Sequence, residues 1–125
     1  MLASSRAFSG FSVDTVESVR DFYAGTLGLE VGEANGMLTL HLAGGGTVIV
    51  YPKGGAHQPA SFTVLNFPVP QIESAVDALS AAGVAFEHYE GSPMQTDEKG
   101  IFRGGGPLIA WFKDPAGNIF SVIQD

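Results

Sequence analysis

The sequence predicts an α+β fold of two β-α-β-β-β modules, and three observations carry that prediction. The first is an internal repeat. Val13-Asp14-Thr15-Val16-Glu17-Ser18 is matched by Val69-Pro70-Gln71-Ile72-Glu73-Ser74, 56 residues on, and Gly28 and Gly83 close the two following helix patterns. The second is Leu108–Gln124, where two β-branched and aromatic runs flank Asp114-Pro115-Ala116-Gly117-Asn118. Pro presets φ, Gly tolerates positive φ, and Asp and Asn bond their own backbone, so this stretch is a hairpin. The third is composition. Of 125 residues, 45% are hydrophobic and 15% charged, enough apolar surface for one packed domain.

Module one is expected at about residues 6–52, with the elements in this order. Ala7–Val13 alternates apolar and small polar residues, a strand pattern. Asp14-Thr15-Val16-Glu17 supplies a side-chain oxygen with Glu three residues on, a helix start. Val16, Val19, Phe22 or Tyr23, and Leu27 then recur at helical spacing, and Gly28 ends the helix. Leu29–Val31 reads as a short strand. Asn35-Gly36 is a tight turn into a strand over Met37–Leu42. Gly44-Gly45-Gly46 turns the chain into Thr47–Tyr51.

A linker is expected at about 53–59, followed by module two at about 60–125. Ser61–Phe67 is a strand pattern, Gln71–Ala82 an amphipathic helix entered through Pro70, and Val84–Tyr89 a further strand. Glu90–Pro107 holds five glycines and two prolines among scattered charges. A loop of that length in a small domain is usually functional or mobile.

Charge and composition exclude several functions. A net charge of −7 disfavours nucleic acid and anionic membranes as partners. With no cysteine there is no disulfide, thiolate ligand or thiol nucleophile. No apolar run approaches the roughly 20 residues of a membrane span, and Met1–Arg6 has no signal-like pattern, so a cytoplasmic chain is expected. No phosphate-cradling or G-x-S-x-G motif is present.

Several stretches resemble the vicinal oxygen chelate superfamily, which groups glyoxalases, extradiol dioxygenases and fosfomycin- and bleomycin-resistance proteins. Asp114-Pro115-Ala116-Gly117-Asn118-Ile119-Phe120-Ser121-Val122-Ile123-Gln124 is similar to its closing strand. Asp21-Phe22-Tyr23 with Thr26-Leu27-Gly28 resembles its first-module F-Y-x-x-x-L-G pattern, and Val64–Pro70 the opening of its second module. The resemblance implies sheets curled into a cup, helices outside and the active site within.

In metal-dependent members, four side chains on four strands, usually His or Gln, Glu, His and Glu, hold a divalent ion with open positions for substrate. Carried onto this sequence, those positions fall on Phe8, Val50, Val64 and Ser121. Three cannot coordinate a cation, and Ser121 alone is a poor ligand. His41, His57 and His88 share no close ligand spacing. No metal and no cofactor are therefore expected.

What remains is an apolar wall with polar handles, the chemistry of a small-molecule site. Alternation places Val64 and Asn66 on one face, with Phe62 beside them. A five-residue hairpin loop pairs Lys113 with Ile119 and sets Trp111 opposite Ser121. The expected ligand-binding residues are Phe8, Val50, Val64, Asn66, Arg103, Trp111 and Ser121, with Arg103 offering a bidentate fork to an anion from a lid-like loop. The expected function is small-molecule binding, in the manner of bleomycin-resistance members, by a homodimer. Two alternatives stand beside it: a glyoxalase- or dioxygenase-type enzyme with an unconventional metal site, and an interaction domain whose cup is filled by side chains.

Overall fold

Each repeat builds one four-stranded mixed sheet, and the two sheets share one strand order. The computed structural model describes residues 1–125. Its contacts divide it into two units, Met1–Gln58 and Pro59–Asp125.

In the first unit, β1 (Ser9–Val13), β2 (Glu30–Ala34), β3 (Met37–His41) and β4 (Thr47–Pro52) form a sheet in the order β1-β4-β3-β2. β1 runs parallel to β4, and the other pairs are antiparallel. Phe11, Val13, Leu38, Leu40, Val48 and Val50 fall in register on one face and are buried. Helix α1 (Glu17–Asp21) covers that face. It continues as a π-helical turn over Phe22–Thr26, where Leu27 N–H reaches the Phe22 carbonyl at 2.9 Å. Val16, Val19 and Tyr23 are its buried positions, and Tyr23 meets Phe11 edge-on at 6.4 Å. The side-chain oxygen expected at the helix start is present. Thr15 Oγ1 accepts from the Ser18 amide at 3.3 Å, and Asp14 Oδ1 from Thr15 N–H and Ser18 Oγ–H.

In the second unit, β5 (Thr63–Val69), β6 (Ile101–Phe102), β7 (Ile109–Lys113) and β8 (Ile119–Gln124) follow the order β5-β8-β7-β6. β5 is parallel to β8, as β1 is to β4. The repeat extends to single hydrogen bonds. Lys53 N–H closes on the Val13 carbonyl, and Asp125 N–H on the carbonyl of the equivalent Val69, each at 2.9 Å.

Helix α2 (Ile72–Ala81) buries Ile72 and Val76, and Gln124 of β8 accepts from the first helical amide, Ile72, at 3.1 Å. Its end is a Schellman arrangement: Val84 N–H to Leu79 O and Gly83 N–H to Ser80 O, with Gly83 at φ +101. Under the helix, Phe67, Phe112 and Phe120 form a stacked row closed by Phe86.

The hairpin is built as its residues require. Asp114 Oδ1 accepts from the Ala116 and Asn118 amides at 3.0 and 2.9 Å, and Gly117 sits at φ +86. Asn118 Oδ1 in turn accepts from Ala60 N–H, tying the loop to the start of the unit.

One expected strand is displaced. Val84–Tyr89 makes a single bridge, Phe86 to Phe112, plus a 2.8 Å bond from Glu87 N–H to the Trp111 carbonyl. The strand beside β7 is instead Ile101–Phe102, inside the stretch expected as loop. Gly100 allows this return, because a Cβ there would lie 2.6 Å from Phe86 Cβ.

Candidate functional site

The second sheet has one face under α2 and one turned away from it. Alternation along β8 puts Phe120, Val122 and Gln124 toward the helix and Ser121 on the opposite side. Ser121 is in register with Asn66 on β5 and with Trp111 on β7, so three strands contribute one row. Ser121 is fully buried and donates a 2.5 Å hydrogen bond to Asn66 Oδ1. Asn66 is exposed, so its amide N–H₂ is available for further bonding at the edge of the row.

Trp111 is walled on two sides. The ring of Tyr89 meets it at 5.6 Å and 67°, and that of Phe102 at 5.9 Å and 49°. The indole is 8% exposed. Burial, with the Glu87 carboxylate acting in the same sense, pushes the Tyr89 phenol above its ordinary range, so it is protonated at neutral pH. Glu87 pairs with Lys113 at 3.5 Å.

Three other expected residues stand apart from this row. Val50 is fully buried on the α1 side of the first sheet, in register with Phe11 and Leu38. Its neighbours Ile49 and Tyr51 take the other face, since a shift of one residue exchanges the two faces of a sheet. Phe8 precedes β1 and is 68% exposed. Arg103 does not reach toward Trp111. Its Nε–H bonds Asp97 at 2.9 Å and a second nitrogen lies 3.6 Å from Glu73 on α2. Partial burial pushes the Asp97 carboxyl up, but the hydrogen bonds from Arg103 and from the Ile101 and Lys99 amides, with the Arg103 charge, together hold it below its usual range. Val64 sits at the register shift between Thr63 and Leu65, half-buried beside the row.

Tyr89 and Phe102 were absent from the sequence-derived site. Their distance along the chain from Trp111 hides them, and no motif in the sequence marks either one. In the first unit, Ser12 Oγ and His57 Nδ1 lie 2.8 Å apart. A shallow depression of about 460 Å³ between α2 and the 84–88 segment has Lys99 paired with Asp77 on its rim.

The family model described as Glyoxalase/Bleomycin resistance protein/Dioxygenase superfamily matches residues 8–122. The chain belongs to that superfamily. Solved members share the fold at low identity. TnmS3, an antibiotic binding protein from Streptomyces sp. CB03234, is 21% identical over 94% of each chain, with a TM-score of 0.63. An integron cassette protein from the mobile metagenome of the Halifax Harbour sewage outfall is 23% identical, covering 95% of this chain and 98% of its own, at 0.67. Lactoylglutathione lyase from Agrobacterium tumefaciens is 18% identical, covering 97% and 93%, at 0.65. No curated protein matches the sequence.

Metal-dependent members of the superfamily need carboxylate and imidazole donors on the inner strands. Here the faces away from the helices carry Gly10 and Ser12 on β1, Ile49 and Tyr51 on β4, Asn66 on β5 and Ser121 on β8. None of these is a carboxylate or imidazole; His41 on β3 and Glu30 opposite it on β2 lie on the same face of the first sheet, but no three His, Asp or Glu side chains gather closely enough to hold an ion. The donor set does not fit the metal of the superfamily's enzymes.

Proposed function

We propose that this superfamily member binds a flat, apolar small molecule against Trp111, without a catalytic metal, and sequesters it. The observation that carries the reading is the row Asn66–Ser121–Trp111, a hydrogen-bonded polar pair in register with an indole flanked by two further rings. Apolar walls with few convergent polar groups are the usual make-up of a small-molecule site. Val64 borders the row, and Ser121 with Asn66 supplies the polar handle.

Charge narrows the ligand. Lys99, Arg103 and Lys113 are the only lysines and arginines of the second unit, and each is held by a carboxylate. A hydroxyl or carbonyl therefore suits this site better than the anionic group first expected for Arg103. TnmS3, an antibiotic binding protein of the same fold, makes small-molecule binding a precedented use of it. The reading includes a homodimer, supported by the exposed apolar side chains Phe8, Tyr51 and Phe62. It also includes a cytoplasmic setting, which the cysteine-free composition suits; no helix is long and apolar enough to cross a membrane.

The test is a compound screen read by Trp111 fluorescence and by thermal shift. Flat neutral aromatics should alter both signals saturably. If no class of compound alters either one, the interaction-domain alternative replaces this reading.

A further inference from the structure

Two residues other than glycine have a left-handed backbone, Asn35 at φ +55 and Tyr89 at φ +52. Asn35 belongs to an Asn-Gly turn, where its short polar side chain suits that conformation. Tyr89 has no such reason. A bulky L-residue is crowded there, and glycine or asparagine would make the same turn with less strain. What tyrosine adds is its ring, set edge-on against Trp111.

We propose that Tyr89 is the gate of the Trp111 site, a specificity-determining residue whose ring must swing aside for a ligand to reach the indole. This rests on the ligand-binding reading above and adds the route of entry. With the indole 8% exposed, a ligand can stack on it only if a neighbouring ring moves.

Phe102 is tethered in β6 by its pairing with Ile109. Tyr89 is at the start of a turn fixed from behind: Ser92 N–H and Oγ–H bond its carbonyl at 3.2 and 2.7 Å. The ring therefore hangs from the first residue of a rigid turn. Rotation about its side-chain torsions takes the ring off Trp111 while the turn stays in place. Backbone strain of this kind, retained at a bulky residue, gathers at ligand clamps and switches.

The experiment uses the full chain and its single tryptophan, comparing wild type, Tyr89→Gly and Tyr89→Phe. Acrylamide quenching reports access to the indole without a ligand. Stopped-flow binding of 1-aminoanthracene, a flat neutral aromatic, reports entry through quenching of Trp111 emission. Tyr89→Gly should raise the acrylamide quenching constant and the association rate several-fold each, and Tyr89→Phe should match wild type in both. Should Tyr89→Gly fail to fold, Tyr89→Asn, also suited to this backbone, takes its place. If wild type binds the probe and the ring-deleted variant shows the same quenching and association rate, the gate is wrong and the site stands. If neither protein binds the probe at the indole, the site reading falls and the gate with it.

Discussion

Replacing Ser121 by alanine separates a binding handle from a structural plug. Ser121 Oγ–H is fully buried and its only assigned partner is Asn66 Oδ1, at 2.5 Å. Asn66 itself is exposed, so its carbonyl oxygen can turn to water once the hydroxyl is gone. The stability cost is then that of one net hydrogen bond, about 1 kcal/mol, rather than the larger penalty of a stranded buried acceptor. For a chain of this length that lowers the thermal midpoint by roughly 3–5 °C. A ligand bonded to the same pair loses a similar energy, which weakens its binding by about 2- to 12-fold. Differential scanning calorimetry gives the first number and Trp111 titration the second. A loss above about 3 kcal/mol would mean that Asn66 cannot rehydrate and that the pair is sealed core. An unchanged affinity for a ligand that quenches Trp111 would show that the pair takes no part in binding.

Other substitutions test the frame around the site. Asp114→Ala strips the acceptor from two buried amides, Ala116 and Asn118, and should cost about 2–5 kcal/mol by urea denaturation, with Asp114→Asn milder. The hydrogen bond from Arg20 holds Glu33 below its ordinary value of 4.5. A lowered carboxylate pKa stabilises the fold above the unfolded value, and that contribution disappears as pH falls through the folded one. The thermal midpoints of wild type and Glu33→Gln should therefore converge as pH falls below 4.5, with only a small gap at pH 7 because both partners are exposed. Adding a chelator should leave the thermal midpoint unchanged, measured on protein purified without an affinity tag. Equimolar bound metal, with a fall in midpoint on its removal, would restore the metal-enzyme alternative.

Much of the fold was legible because local chemistry and tertiary demand agree in it. The hairpin could be read residue by residue: Asp114, Gly117 and Asn118 each perform the backbone task their type performs best. The repeat at Val13 and Val69 was visible because both valines end a strand that pairs in parallel with the last strand of its unit. Two-residue strands leave no such mark. Ile101-Phe102 carries no alternation long enough to detect, whereas Val84–Tyr89 has a strand-like composition but turns away at Tyr89. The site divides along the same line. Trp111, Ser121 and Asn66 follow from hairpin register and strand parity. Val50 came from carrying a family position onto its strand, and in a sheet one residue is the whole difference between faces; here Val50 lies on the buried one. The surroundings of Arg103 were illegible for another reason. The carboxylates that claim it, Glu73 and Asp97, are brought near only by the fold.

The parallel pairing of first and last strands has a consequence for how the protein is made. Ser9 waits for Val48, and Thr63 for Ile119, before either sheet has its parallel pair. The hairpins β2–β3 and β7–β8 can form from neighbours in sequence, but each remains an unfinished ribbon until the strand at the far end of its own unit docks. On the ribosome, the N-terminal sheet can close while the second unit is still being synthesised, and the second can close only when β8 has emerged. Non-local pairing of this kind slows folding relative to helical chains. It also leaves β5, with Val64, Leu65 and Phe67 along it, as an unpaired apolar edge throughout that interval. Refolding of the full chain should accordingly be slow and concentration-sensitive, and a ligand that engages Ser121 can act only after the last strand is in place.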